Sequence, residues 1–326
     1  MFSNLIGNTQ ARYILERMID EGKIPHAIIL SGPSGVGKKL FAKELAKGIM
    51  GEAHSRKIDV QTHPDLRLLY PEGKTAMHSV SSIHQMQEQM ALEPFEASSR
   101  VFIIDDADKM LPTSSNALLK TLEEPQEGNY FILITKHVDE VIPTILSRCR
   151  KIPFFPIPEK EIFEFLKKTE QIDELEAKKV AFLSHGSLEK AMQIIARKEN
   201  VVRDMMIQIL SDGSFHALKH LLAITKIEEY FTSLLDKEES IKYFTEVDSF
   251  FEELYYWYRD LHLLSIGANE EYVFHLDSLA VLKKQLSKKR LPLEKVRNLI
   301  EESRLAIHRS IKIKTVMEYL FSQISL

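Results

Sequence analysis

Cysteine occurs once in these 326 residues, at Cys149, and tryptophan once, at Trp257. A single thiol excludes an internal disulfide framework and any cysteine-built zinc site. No apolar run approaches the ~18 residues needed to cross a bilayer. The opening residues, MFSNLIGNTQ, lack a basic segment followed by an apolar block, so no secretory leader is expected and the cytoplasm is the expected compartment. His54, His63, His78 and His84 have neither thiolate partners nor paired ligand spacing, and no metal site is expected among them. What is present is an ordinary globular composition, 44% hydrophobic and 28% charged. At ~100–200 residues per domain, that supports two or three cores.

Charge is nearly balanced overall, at −4, but unevenly spread. Residues 157–282 carry 14 basic against 24 acidic side chains, a net −10, whereas residues 283–314 carry 11 against 3, a net +8. The basic stretch reads either as solvated helix faces or as a surface for phosphate or an acidic partner. No aromatic or glycine spacing typical of a nucleic-acid motif accompanies it.

The first 150 residues alternate short apolar runs with amphipathic stretches. Ala27–Leu30, Leu66–Tyr70, Val101–Ile104 and Tyr130–Ile134 read as strands. Lys38–Ile49, the segment from Ser79 to about Ala91, and Ser114–Glu123 read as helices, with Ile83, Met86 and Met90 at helical spacing. This alternation predicts a parallel sheet covered on both faces. Pro153, Pro156 and Pro158 read as a hinge. Beyond it, Glu159–Lys168, Glu174–Ser184, Ser187–Arg197 and Val201–Leu210 read as short helices. Phe215–Leu235, Phe244–Leu264, Tyr272–Leu286 and Leu293–Leu326 read as longer ones, and Ser211-Asp212-Gly213-Ser214 marks a second boundary. The expected architecture is therefore α/β followed by all-α, with domains over 1–155, 156–211 and 212–326. The aromatic cluster Phe250, Phe251, Tyr255, Tyr256, Trp257 and Tyr258 lies at helical spacing and reads as core or subunit interface.

Gly32-Pro33-Ser34-Gly35-Val36-Gly37-Lys38 matches G-x-x-x-x-G-K between a strand and a helix. The glycines let successive backbone N–H groups wrap a phosphate, the helix N-terminus adds a positive dipole end, and Lys38 can reach the β- and γ-phosphates. The next position departs from the motif. Where Ser or Thr would hold Mg²⁺, Lys39 offers only donors and a like charge. The loop is thus expected to hold ATP or ADP weakly, with an impaired magnesium site. Asp105 and Asp106, after the Val101–Ile104 run, stand where a metal-side acid and a water-activating acid belong; alternatively they cap the element that follows.

The loop GPSGVGKK, the strand VFIIDDADKM (101–110), the segment SNALLKTLEEP (115–125) and PTILSRC (143–149) together resemble the AAA+ subunits of the bacterial DNA polymerase III clamp loader. The resemblance runs in order from about Leu5 to Lys151. It implies an AAA+ P-loop domain, a small helical lid and a C-terminal helical collar. It also implies that Arg148 is an arginine finger entering a neighbour's ATP site, and that Thr135 stands where a sensor contacts the γ-phosphate. The motor subunits, gamma/tau, carry an intact Ser/Thr after the loop lysine, four zinc cysteines and a lid arginine. Here Lys39, the lone cysteine and Glu189 in Gly186-Ser187-Leu188-Glu189 depart from all three. His63-Pro64-Asp65 and Tyr258-Arg259-Asp260-Leu261 are more similar to the delta-prime branch of that family. The implied role is a stator alongside gamma/tau and delta, reaching the sliding clamp and primer-template DNA through the complex. The rival expectation is an autonomous ATPase using its own loop. Cys149 reads as a small packing residue.

Overall fold

The computed structural model describes residues 2–72, 77–170, 172–196, 204–207, 210, 217–236, 240–287, 291–309 and 311–324. The expected boundary at Ser211–Ser214, and Lys288, Lys289 and Arg290 of the basic stretch, lie outside the described residues. The chain divides into two compact units, Met1–Ile194 and Ile195–Leu326.

The first unit is built on a five-stranded sheet of β1 (Ala27–Ser31), β2 (Leu66–Leu69), β3 (Arg100–Ile104), β4 (Asn129–Thr135) and β5 (Arg150–Pro153). Every pairing is parallel, in the order β2-β3-β4-β1-β5. All five residues of β3 are buried, as a strand covered on both faces requires. The helices that cover the sheet are α2 (Lys38–Met50), α4 (Val80–Met90) and α5 (Pro112–Glu123), and α1 (Thr9–Asp20) packs on α2. A short α3 (Ser55–Asp59) packs on α2. Ile83, Met86 and Met90 of α4 and Leu118 and Leu122 of α5 join Ala27, Ile29, Phe102, Phe131 and Leu133 in one core. On the other face α2 packs against β1, β3 and β4. Burying each large apolar side chain contributes about 1.5–3 kcal/mol, so these two layers supply most of the driving force.

Three elements of this unit have no counterpart among the expected ones: α1, α3 and β5. The segment of β5 reads instead as the approach to a hinge at Pro153, because only Ile152 of its four residues is buried and no periodicity can show. Pro153 is tolerated because β5 is an edge strand, where a missing N–H breaks no central ladder. After β5 come α7 (Glu159–Thr169), α8 (Glu174–Leu183) and α9 (Leu188–Ala196), and a short α6 (Pro143–Leu146) precedes β5. Asp173 caps α8 by accepting the Glu176 N–H.

The second unit is helical. Its core gathers Val247, Phe250, Phe251, Leu254, Trp257 and Leu261 of the Ser240–Ser265 helix. Packed around these are the helices Ala217–Asp236, Leu293–His308 and Ile313–Ile324. The aromatic cluster is therefore largely interior, with Trp257 Nε1 donating to Gln285 Oε1 at 3.1 Å. Two expected helices are broken in the structure. Tyr272–Leu286 is helical in earnest only over Leu279–Gln285, because Asp260 takes the backbone N–H groups of Phe274 and His275 at 2.9 and 2.8 Å and holds that stretch out of a helix. Leu293–Leu326 divides into Leu293–His308 and Ile313–Ile324, and the turn between them folds the second helix back on the first. Within the basic stretch, Lys283 pairs with Glu270, Arg304 with Asp248 and Lys314 with Glu228, at 2.6, 3.3 and 3.2 Å.

Candidate nucleotide-binding site

The phosphate loop leaves β1 at Gly32 and enters α2 at Lys38. Its course demands glycine at Gly35. The backbone there has φ +75°, and a Cβ would lie 2.0 Å from Ser187 Oγ at the start of α9. The Leu188 N–H, from the same helix start, donates to the Gly35 carbonyl at 2.9 Å. Pro33 and Ser34 are exposed at the loop tip, whereas Val36 is buried. Gly32, Gly35 and Gly37 all take positive φ, the backbone form in which consecutive N–H groups make an anion nest. The Lys38 ammonium donates to the Gly32 and Pro33 carbonyls. Burial, followed by repulsion from Lys136, pushes its pKa down to about 8. The loop and Lys38 thus fit a phosphate group.

The acids arrive from the neighbouring strand ends. Asp105 Oδ2 lies 2.6 Å from Lys39 Nζ, and the Asp105 side chain is almost wholly buried. Burial opposes the Lys39 charge, but the hydrogen bond to Asp105 and its charge outweigh that and raise the pKa. Asp106 is flanked by Lys109 at 3.0 Å and Lys136 at 3.3 Å. Its own burial would raise the carboxyl pKa, yet the two ammonium groups hold it below the ordinary value. Neither carboxylate caps the short helix that follows: Asp106 occupies the cap position in a left-handed conformation without a side-chain capping bond. The capping alternative for this pair is therefore not what the structure has. Thr135, fully buried at the end of β4, donates to Asp108 Oδ1 at 2.6 Å. The magnesium fit is poor, because the side chain following Lys38 supplies an ammonium where a hard cation needs an oxygen.

Sequence reasoning overlooked three contributors. Asp108, inside the same acidic run, holds both Thr135 and the Lys136 N–H. Asn8 donates to the Val36 carbonyl at 3.3 Å and accepts the Phe155 N–H at 2.7 Å, tying the segment before α1 to the loop. Tyr70, after β2, places its ring 5.7 Å from Lys39 Nζ. Asp108 was legible from its spacing; Asn8 and Tyr70 lie too far away in sequence to be.

Two of the four scattered histidines meet. His63 Nε2 and His54 Nδ1 lie 2.8 Å apart, with Glu96 nearby. His63 Nδ1 accepts the Asp65 N–H at 3.1 Å, so in neutral His63 the proton sits on Nε2 and is donated to His54. That leaves Nε2 no lone pair for a metal, and Lys57 already pairs with Glu96 at 2.6 Å. The His54, His63 and Glu96 set does not fit a resident divalent ion.

Arg148 follows α6, which begins at Pro143 as expected for a first-turn proline. Its guanidinium donates to the Thr144 carbonyl at 2.9 Å and pairs with Glu123 Oε1 at 2.6 Å, and about a third of the side chain is exposed. Glu123 lies at the end of α5. Cys149 beside it is buried in the α4–α5 core.

A phosphate loop between β1 and α2, an acidic pair after β3, and a threonine at the end of an intervening β4 define an α/β P-loop domain. Residues 7–158 match the family described as DNA polymerase III, delta subunit. The gamma subunit of DNA polymerase III from Buchnera aphidicola (subsp. Acyrthosiphon pisum) is 31% identical over 214 residues, 61% of this chain and 59% of that protein. The delta-prime subunit from Bacillus subtilis is 33% identical over 159 residues, 46% of this chain and 48% of that protein. A gamma subunit-related protein of known structure from Thermotoga maritima aligns over 91% of this chain and 99% of its own, with 20% identity and a TM-score of 0.43. Over residues 7–158 the chain is thus similar to DNA polymerase III subunits of the delta, delta-prime and gamma kinds. The chain spans about half the length of the curated relatives it matches. Among the described residues, no helix is long and apolar enough to cross a membrane.

Proposed function

We propose that this chain is the delta-prime subunit of a DNA polymerase III clamp loader. It acts as a stator whose own nucleotide site is degenerate and whose Arg148 enters a neighbouring motor subunit's ATP site. The observation that carries the reading is the 2.6 Å pair between Lys39 and Asp105, which puts an ammonium group where a hydrolytic site holds its metal. The acid that would activate water, Asp106, is engaged by two lysines. Such a site holds ATP or ADP weakly and contributes position, not turnover. Thr135, joined to Asp108, is the sensor position of that site. The partners are gamma/tau and delta, with the sliding clamp and primer-template DNA reached through the assembly in the cytoplasm.

Arg148 supports the trans role by its partial exposure and by a single surface carboxylate partner, which a neighbour's phosphates can displace. A guanidinium supplied in trans neutralises charge as it develops on the transferred phosphoryl group and can contribute on the order of 10³-fold in rate. The test is the DNA- and clamp-stimulated ATPase of a reconstituted loader containing wild-type chain or Arg148→Ala. An assembled complex with strongly reduced hydrolysis is the expected result. Unchanged turnover in an assembled complex overturns the finger. Hydrolysis by the isolated chain that disappears in Lys38→Ala would favour the autonomous ATPase instead.

A further inference from the structure

We infer that the Lys39 ammonium is a built-in replacement for magnesium, so that this loop takes a nucleoside di- or triphosphate without any metal ion. The inference rests on the reading that the loop binds nucleotide at all, and adds how the phosphate charge is met there.

Lys39 is the second residue of α2, directly after the phosphate-loop lysine. Its side chain is held on two sides: Asp105 Oδ2 lies 2.6 Å from Nζ, and the Tyr70 ring centroid 5.7 Å away. Asp105 itself is fixed from behind, since His78 Nε2 donates to its backbone carbonyl at 2.6 Å. These two contacts favour one placement of the ammonium before any ligand arrives, with over half of the side chain open to an incoming phosphate. An ordinary site must instead recruit its cation together with the nucleotide.

The surrounding carboxylates leave little for a metal to use. Asp105 is on Lys39, Asp106 is on Lys109 and Lys136, and Asp108 accepts from Thr135 Oγ1 and the Lys136 N–H. Magnesium demands a near-octahedral shell of about six oxygens. Building one here means displacing an ammonium from Asp105 and then holding a dication beside it. Lys39 instead keeps one N–H on Asp105 and has two further donors and its positive charge to turn toward the phosphates. Because an ammonium cannot bridge the β- and γ-phosphate oxygens and neutralise their developing charge as a dication does, the same substitution that secures binding withholds hydrolysis.

The experiment is calorimetric titration of the full chain with ADP, once in excess Mg²⁺ and once in excess EDTA. Wild-type protein is expected to bind with dissociation constants within about threefold of each other in the two buffers. Lys39→Thr, which restores an oxygen at that position, is expected to bind ADP at least about tenfold more tightly in Mg²⁺ than in EDTA. Lys38→Ala should lose binding in both buffers, which locates the ligand in the loop. Wild-type binding that weakens about tenfold or more in EDTA overturns the inference and leaves the nucleotide reading intact. Wild-type protein that binds ADP in neither buffer overturns both, so the two failures are distinguishable.

Discussion

Arg148 Nη2 lies 2.6 Å from Glu123 Oε1, which joins the end of the SNALLKTLEE helix to the residue after α6. Both side chains are partly exposed to water. Exposed pairs contribute about 0–1 kcal/mol, so the contact positions the guanidinium without anchoring the fold. Arg148→Ala and Glu123→Gln are each expected to leave the melting temperature within about 3 °C of wild type, as read by circular dichroism. A large drop for Arg148→Ala would make the arginine structural and remove the reason to assign it to a neighbour.

His275 offers a pH-dependent test in the helical unit. Its ring is fully buried, with Nδ1 2.9 Å from Asp260 Oδ2 and Nε2 3.2 Å from Glu253 Oε2. Burial works against the imidazolium, but the two carboxylates outweigh it and raise the pKa. Arg259, 3.4 Å from Asp260, shares the same cluster. A folded-state pKa above the unfolded value means the stabilisation is complete below about pH 6.5 and is lost as pH rises through the folded value. Trp257, the one tryptophan, lies in this core, so its fluorescence follows the unit's unfolding directly. The urea midpoint read this way should fall as pH is raised through and above neutrality. His275→Gln should flatten that dependence and cost about 3–5 kcal/mol at pH 6, because it removes the positive charge held between two buried carboxylates.

Cys149 should be inert while the chain is folded. Burial pushes its thiol up to about 12, only slightly offset by Lys151. At pH 8 about one thiol in 10⁴ is then ionised, and it is sheltered as well. A disulfide-exchange reagent is expected to react slowly with native protein and stoichiometrically, one thiol per chain, in denaturant. Rapid reaction of the native protein would place Cys149 at the surface.

Asp65 is expected to be the costliest polar residue of the β2–β3 region. Its buried carboxylate accepts the N–H groups of Phe95, Glu96 and Ala97 at 2.7, 2.7 and 3.0 Å. Burial alone would raise its pKa, yet these three donors and Arg100 lower it. The stabilisation is therefore present above the ordinary carboxylate range and lost as pH falls through the lower folded value. Asp65→Asn replaces one acceptor oxygen by an NH₂ facing backbone donors and should cost about 2–3 kcal/mol in urea unfolding at pH 7. It should also erase much of the acid sensitivity.

Sequence and structure divide this protein along a physical line. Features set by neighbours in the chain were legible beforehand. The four apolar strands, the 3.6-residue period of Ile83, Met86 and Met90, the proline that opens α6 and the glycines of the phosphate loop all report local backbone preference. The chemical mismatch at Lys39 was equally visible, because a motif specifies one residue type at one position. Contacts between distant segments were not. Strand β5 exists because β1 offers it an open edge, and the helix expected over 272–286 gives way because Asp260 claims its backbone donors. Lys39 finding Asp105 and Tyr70, and Thr135 finding Asp108, follow from which strand ends the sheet order places side by side, and Arg148 finding Glu123 from the packing of α5 on α6. One sequence position determines what chemistry a side chain brings; only the packed sheet decides which charge it meets.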